Sequence, residues 1–195
     1  LVKKTAQQKS ARPFTMLEKT LDQIMDINIA TRSPLQIEFD PAWRSPCEVG
    51  EPEEGAGRPA KITWEPVRRN SFTDDFSGLE RAIECPIHPD IKTYFARYWS
   101  ANVPMQAPDG FVELLFLWNE YDIARLTENL IGHYLACTQN KNQFSVFFAC
   151  TEPESEYFLT INNATGVIQL ELPGQKPIRE ISANLNEFLS TLTID

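Results

Sequence analysis

Two short and almost uninterrupted apolar runs constrain the fold of this chain most strongly. They are FVELLFLW at 111–118 and FSVFFAC at 144–150, both rich in aromatic and branched side chains. Neither approaches the roughly 20 apolar residues that cross a bilayer. Their length and composition instead favour strands that are covered on both faces. The sequence therefore predicts a sheet with these runs as central strands and with helices packed against it.

Apolar side chains at intervals of three and four residues predict five helices. These helices cover residues 14–27, 77–85, 88–101, 122–140 and 181–192. Further strands are predicted at 61–67 and on either side of a turn at 162–166, which makes a hairpin. Because the last three strands follow one another through short links, we expect them to be antiparallel neighbours. The predicted fold is a single α+β domain at 14–195, with a mainly antiparallel sheet of about five strands packed with helices.

Two segments fall outside this pattern. Residues 48–60, EVGEPEEGAGRPA, are rich in Gly, Pro and Glu with almost nothing to bury, which predicts a mobile loop. Residues 1–13 contain basic but no acidic side chains, and the chain begins with Leu rather than Met. We expect 1–13 to be a basic N-terminal arm or a remnant of cloning.

The net charge of −9 is unevenly distributed along the chain. Residues 1–20 carry a net +4, whereas 71–130 carry −6 and 131–195 carry −4. An acidic body repels phosphate backbones, which argues against nucleic acid as the main partner. It attracts a basic protein surface, because opposite fields speed encounter and reject wrong partners. The alternative is that the acidity serves only solubility.

Four cysteines, at 47, 85, 137 and 150, show neither a CxxC pair nor another tight spacing. They match no disulfide framework and no zinc ribbon, so we expect reduced thiols in a cytosolic protein. The sequence contains no Gly-rich phosphate loop, no GxSxG and no HExxH. It therefore predicts no metal site and no cofactor.

The most distinctive pattern is EYDIARLTENLIGHYLACTQ at 120–139, where His133 precedes Cys137 by one helical turn. This spacing allows half of a metal site or the catalytic pair of a thiol enzyme. A helical projection instead places Cys137 among the core positions and His133 at their margin. We therefore expect an unreactive core thiol and a histidine bonded to a neighbouring strand or loop.

Gly132 is unusual inside this helix, since glycine costs about 0.5–1 kcal/mol relative to alanine there. Together with Ala136 one turn later, it offers a surface that another backbone can approach closely. We expect the approaching element to belong to the same fold, and a bound segment of a partner is the alternative.

Several longer stretches resemble one protein family. They are ERAIECPIHPDIKTYFARYW at 80–99, WNEYDIARLTENLIGH at 118–133 and SANLNEFLSTL at 182–192, with SPC at 45–47 and TWEP at 63–66. In this order they resemble Syd, the SecY-interacting protein family, over roughly residues 14–193.

The resemblance implies a soluble α/β-type binding protein with no known enzymatic activity. Such a protein lies at the cytoplasmic face of the inner membrane and reaches the membrane only through SecY, the subunit of the protein-conducting channel. The family implies an acidic concave groove that docks on the basic cytosolic loops of SecY and regulates or checks assembly of the channel. The wider superfamily includes bacterial toxin-immunity proteins, so an immunity-like module that neutralises a basic toxin is the alternative.

Matching the family pattern position by position gives six acidic candidates for the groove. They are Glu80, Glu84, Asp109, Glu120, Asp122 and Glu128. Each is also compatible with a solvated or helix-capping role. We expect about half of them to line the groove, because surface charges are often idle. No catalytic residue and no metal ligand is predicted.

Overall fold

The computed structural model describes residues 14–55, 57–69 and 75–194, and the predicted arm at 1–13 lies outside them. The helices in these ranges are α1 (Met16–Arg32), α2 (Ser77–Ile83), α3 (Pro89–Arg97), α4 (Glu120–Gln139) and α5 (Leu185–Ser190). The first strands are β1 (Gln36–Glu38), β2 (Glu48–Gly55), β3 (Arg58–Trp64), β4 (Val67–Arg68) and β5 (Tyr98–Trp99). The later strands are β6 (Val103–Ala107), β7 (Gly110–Leu114), β8 (Ser145–Cys150), β9 (Phe158–Asn162), β10 (Ile168–Glu171) and β11 (Arg179–Ser182). None of the described helices has the length and apolar content to span a membrane.

Six strands form the main sheet in the order β11, β10, β9, β8, β7 and β6, and every neighbouring pair is antiparallel. The two apolar runs supply the interior strands β7 and β8, where Leu114, Val146 and Phe148 are fully buried. The α+β prediction is confirmed. The sheet gains the unpredicted edge strands β6 and β11, and the strand predicted at 61–67 belongs to a separate sheet.

Helices cover both faces of the main sheet. Consecutive side chains of a strand point to opposite faces. On β8, the ring of Phe147 lies 6.4 Å from that of His133 in α4, whereas the ring of Phe148 lies 5.7 Å from that of Tyr94 in α3. Phe148 also contacts Phe188 of α5, with ring centroids 5.8 Å apart. The core is therefore divided between α4 on one face and α3 and α5 on the other, where α1 packs against both.

A buried ion pair ties α1 to α3. Arg97 reaches both oxygens of Asp22, with Nη2 2.6 Å from Oδ2 and Nε 2.9 Å from Oδ1, and its side chain is only 7% exposed. Tyr98 donates a hydrogen bond to Asp22 at 2.8 Å, and Arg68 pairs with Asp22 at 2.7 Å. Burial by itself raises the pKa of Asp22, but these hydrogen bonds and positive charges outweigh it and lower that pKa. Asp22 is therefore held in its ionised form.

Residues 48–60, predicted as a loop, form most of a β-hairpin instead. β2 pairs antiparallel with β3, with Glu48 opposite Trp64 and Glu53 opposite Lys61, and β1 pairs with β3 on its other side. Backbone pairing supplies the hydrogen bonds, so β2 forms although six of its eight residues are exposed. Amino-acid composition does not predict such a strand, because composition indicates which side chains can be buried and not which backbone segments pair. The mobility of the segment stays a prediction.

The surface around Gly132 is open. A methyl group at Gly132 would meet nothing within 4 Å, and Leu135 is 53% exposed. The expectation that another described element packs closely against Gly132 is therefore wrong, because α4 buries its other side, at Leu130 and Cys137. The alternative, a bound segment of a partner, stays a prediction.

Candidate functional site

His133 and Cys137 lie side by side on the buried side of α4, with Cys137 Sγ 3.6 Å from His133 Nε2. The same nitrogen lies 3.1 Å from the hydroxyl of Ser145 on β8, so the predicted bond between this histidine and a neighbouring strand is confirmed. Burial lowers the pKa of His133, whereas burial and the Glu171 carboxylate raise the pKa of Cys137. A neutral thiol beside a neutral imidazole is favoured at neutral pH, and a neutral thiol is a poor nucleophile.

We expect Cys47 and Cys137 to resist a thiol reagent in the native protein, because both are buried and burial raises the pKa of each thiol. Cys150 is expected to react first because it is exposed, although partial burial and the Glu113 carboxylate raise the pKa of its thiol as well. Mass spectrometry after brief alkylation at neutral pH, with and without denaturant, measures the order in which the cysteines are modified. Rapid native modification of Cys137 would contradict this interpretation and support the thiol-enzyme alternative.

A cleft of about 440 Å³ opens between the three-stranded sheet and the N-terminal half of α4. Its floor consists of buried apolar side chains from β3, from α3 and from the segment after β7, including Ile62, Phe95, Phe116 and Leu117. Its charged lining consists of four carboxylates and one guanidinium, from Glu38, Asp40, Glu48, Asp122 and Arg125. The cleft thus combines an apolar floor with a mainly acidic lining, and we call it the acidic cleft.

Three hydrogen bonds hold the turn that follows β1 against the start of α4. Trp118 Nε1 donates to the carbonyl of Trp43 at 3.0 Å. Asn119 Nδ2 donates to the carbonyl of Arg44 at 2.9 Å. In the opposite direction, Ser45 Oγ donates to the carbonyl of Trp118. This wall of the acidic cleft is therefore fixed in the absence of a partner.

Two of the four carboxylates already have protein partners. Asp122 accepts a hydrogen bond from the backbone N–H of Trp118 at 2.9 Å and pairs with Arg125 at 3.3 Å. Glu48 pairs with Arg44, and its side chain is only 6% exposed. Glu48 therefore serves mainly to hold the cleft together. The side chain of Asp122 is 18% exposed, and its partner Arg125 is 66% exposed, so Asp122 becomes more accessible when Arg125 turns away.

Glu38 and Asp40 are the exposed carboxylates of the acidic cleft. Asp40 accepts a hydrogen bond from the N–H of Ala42 at 2.8 Å, which stabilises the turn. In the described part of the chain, no cation pairs with either carboxylate. Such charges can attract a cationic partner without first breaking an internal ion pair.

The structure places one of the six carboxylates predicted from the sequence, Asp122, in the acidic cleft. The other five lie outside its lining: Glu120 and Glu128 on α4, Glu80 on α2, Glu84 at the end of α2, and Asp109 between β6 and β7. The six are therefore not brought together. Glu38, Asp40 and Glu48, which the sequence interpretation missed, surround the cleft with Asp122 instead.

Two of the outlying carboxylates have contacts that join elements of the fold. Glu80 pairs with Lys92 of α3 and accepts the N–H of Ile87 at 2.8 Å, and these bonds lower the pKa of Glu80. Asp109 pairs with Arg179 of β11 at 2.7 Å. These contacts give Glu80 and Asp109 a structural role within the fold that needs no partner protein. A role of Glu80 or Asp109 in partner binding stays a prediction of the family resemblance alone, and it competes with the acidic cleft as the binding surface.

Three separate stretches that carry the resemblance to the Syd family meet beside this cleft. Ser45 of the SPC stretch donates to the carbonyl of Trp118, which begins the WNEYD stretch. In the TWEP stretch, the N–H of Glu65 donates to the carbonyl of Cys47 at 2.9 Å. Trp64 packs edge-on against Trp118, with ring centroids 5.9 Å apart. These three stretches therefore form one continuous structure beside the acidic cleft.

Comparison with known proteins agrees with this resemblance. The family model described as Syd protein (SUKH-2) matches residues 15–193. Protein Syd of Pseudoalteromonas atlantica is 37% identical over 158 residues, which cover 80% of this chain and 82% of that protein. Protein Syd of Colwellia psychrerythraea is 36% identical over 160 residues, 80% of each chain. Protein Syd of Shewanella sp. (strain MR-7) is 32% identical over 177 residues, 91% of this chain and 80% of that protein. This chain therefore belongs to the Syd protein family.

Proposed function

We propose that this protein binds the SecY subunit of the protein-conducting channel and that its acidic cleft receives basic cytosolic loops of SecY. One observation carries the proposal: three of the stretches that resemble the family meet beside one cleft, which also carries the two exposed carboxylates Glu38 and Asp40. The resemblance to the SecY-interacting family supplies the identity of the partner. The negative charge of the cleft explains why the cleft would select basic segments of that partner.

Charge and shape both favour a basic peptide segment as the ligand of the acidic cleft. Glu38 and Asp40 are exposed and have no cationic partner in the described part of the chain, so the cleft attracts a cation and repels an anion. The apolar floor offers contacts to the aliphatic stems of lysine and arginine. A volume of about 440 Å³ admits several side chains of a loop, and it is too small for a folded domain.

The charge of the whole chain adds a long-range contribution. A net charge of −9 accelerates encounter with a basic surface and disfavours nucleic acid. In our proposal the contact with the membrane runs through SecY alone, so the protein associates peripherally with the cytoplasmic side of the inner membrane. Occupation of the basic loops by this protein then regulates or checks the assembly of SecY.

Purified SecY in lipid nanodiscs tests the proposal, with empty nanodiscs of the same lipid as the control. We expect binding to the SecY nanodiscs only. The affinity is expected to fall at least about tenfold as the ionic strength rises past about 0.1 M, where the screening length is only about 10 Å. Equal affinity for the two kinds of nanodisc, or an affinity that salt does not change, would contradict the proposal.

The immunity-like alternative predicts a different partner. A module that neutralises a basic toxin is expected to capture that toxin from the cytosolic fraction and to ignore SecY nanodiscs. Pull-downs from the membrane and cytosolic fractions, followed by identification of the captured proteins, separate the two hypotheses. Recovery of SecY from membranes supports the proposed function, and recovery of a basic toxin without SecY supports the alternative.

A further inference from the structure

Arg125 is the only basic residue among the described residues that line the acidic cleft. Its guanidinium carbon lies 5.2 Å from the centre of the Trp43 ring, and its Nη1 lies 3.3 Å from Oδ1 of Asp122. The guanidinium is thus placed between an aromatic face and a carboxylate, which are the two groups that attract an arginine side chain most specifically. A cation of the protein itself occupies a place that suits a cation of the partner.

We propose that Trp43 and Asp122 form a subsite for an arginine side chain of the partner, and that Arg125 occupies this subsite until the partner displaces it. This inference rests on the proposed function, because it assigns the ligand chemistry of the same cleft. It goes beyond general charge attraction, since it names the residue type that is recognised, the two groups that recognise it and an internal competitor.

The two walls of the subsite are fixed. The carbonyl of Trp43 accepts a hydrogen bond from Trp118 Nε1 at 3.0 Å, and the carboxylate of Asp122 accepts the backbone N–H of Trp118 at 2.9 Å. Both walls are therefore tied to the same residue. The ring of Trp43 also packs against that of Tyr121, with centroids 5.6 Å apart. A subsite held in this way needs little reorganisation to accept a ligand.

The occupant of the subsite is held more loosely than its walls. The side chain of Arg125 is 66% exposed, and its 3.3 Å contact with Asp122 is long for a charge-assisted hydrogen bond. In the described part of the chain, this is the one hydrogen bond of the Arg125 guanidinium. Arg125 can therefore turn toward solvent while the backbone of α4 stays in place.

The subsite favours arginine over lysine. A planar guanidinium stacks on an indole ring and donates to a carboxylate at the same time, whereas an ammonium group is a compact and more strongly hydrated charge. A synthetic peptide of alternating arginine and glycine, and its lysine counterpart, serve as probes for calorimetric titration of the full chain at low salt. We expect tighter binding of the arginine peptide, and equal affinity for the two peptides would overturn the assignment.

Arg125→Gln tests the internal competitor. Its removal is expected to tighten binding of the arginine peptide about two- to fivefold, the strength of one exposed ion pair. Arg58→Gln, on β3 and outside the cleft lining, removes the same charge and is the control. An equal gain in the two variants would overturn the proposal, because net charge alone would then explain it. In an Asp122→Asn background, which removes the ion pair, Arg125→Gln is expected to give no gain, and a full gain there would also overturn the proposal.

The outcomes separate this inference from the proposed function. If the wild-type protein binds SecY nanodiscs in a salt-dependent way and Arg125→Gln does not tighten the arginine peptide, the internal competitor is overturned and the proposed function stands. If the wild-type protein binds neither the SecY nanodiscs nor the arginine peptide, both are overturned.

Discussion

Binding to SecY nanodiscs is expected to weaken at least about 100-fold when Glu38→Lys, Asp40→Asn and Asp122→Asn are combined. A like charge placed against a basic loop costs several kcal/mol, and each 1.4 kcal/mol is about tenfold in affinity. Asparagine is chosen at 40 and 122 because its side-chain oxygen can still accept the N–H groups of Ala42 and Trp118. The thermal melt is therefore expected to stay close to that of the wild type.

A matched variant controls for the change in net charge. It combines Glu84→Lys with Glu80→Gln and Asp109→Asn, on the surface predicted from the sequence, and it shifts the net charge by the same amount. Glutamine at 80 can still accept the N–H of Ile87. We expect this variant to bind within about threefold of the wild type, since a charge outside the contact changes mainly the long-range attraction.

Stability is expected to depend strongly on the buried ion pair. Asp22→Asn should lower the free energy of unfolding by about 3–5 kcal/mol, because it leaves the Arg97 guanidinium buried without its closest carboxylate. Glu18, at 3.6 Å from Arg97, compensates only in part. Urea denaturation at neutral pH measures the loss. Asp26→Asn, an exposed position one turn along α1, is the control and should change this free energy by less than about 0.5 kcal/mol.

The same pair makes stability depend on acid pH. The folded protein holds the pKa of Asp22 below its ordinary value of 3.8, so the ionised carboxylate stabilises the fold above that value. This stabilisation is lost as the pH falls through the lowered pKa. The difference in unfolding free energy between the wild type and Asp22→Asn should therefore shrink in acid. A difference that is small at neutral pH, or that grows as the pH falls, would contradict this role of Asp22.

The helices and interior strands are predictable from the local sequence, because the spacing of apolar residues within each element marks the side that it buries. In α4, the spacing of Leu130 and Cys137 places both residues on the covered side, as the structure has them. β6 escapes this method, since Pro104 is atypical of a strand although Val103 and Met105 are buried on either side of it. Strands that are held by backbone pairing with exposed side chains, such as β2, leave no periodic pattern to detect.

The candidate site is harder to predict because its parts come together only in the folded chain. Trp43 and Trp118 are 75 positions apart in the sequence, and a hydrogen bond joins them. Glu38 and Asp40 lie in a stretch without clear periodicity, and nothing in their local sequence relates them to Asp122. The sequence signal that pointed to this site was the resemblance of the SPC and TWEP stretches to the family. They mark the surroundings of the acidic cleft as family-like, but they do not indicate which carboxylates face it.

The most direct test of the acidic cleft as the SecY-binding surface compares the two triple variants side by side. Their dissociation constants are measured with the same SecY nanodiscs at the same low salt, after thermal melts have shown that both variants are folded. We predict that the cleft variant, with changes at Glu38, Asp40 and Asp122, binds at least about 30-fold more weakly than the matched variant. Equal constants, or weaker binding by the variant changed at Glu80, Glu84 and Asp109, would contradict the account.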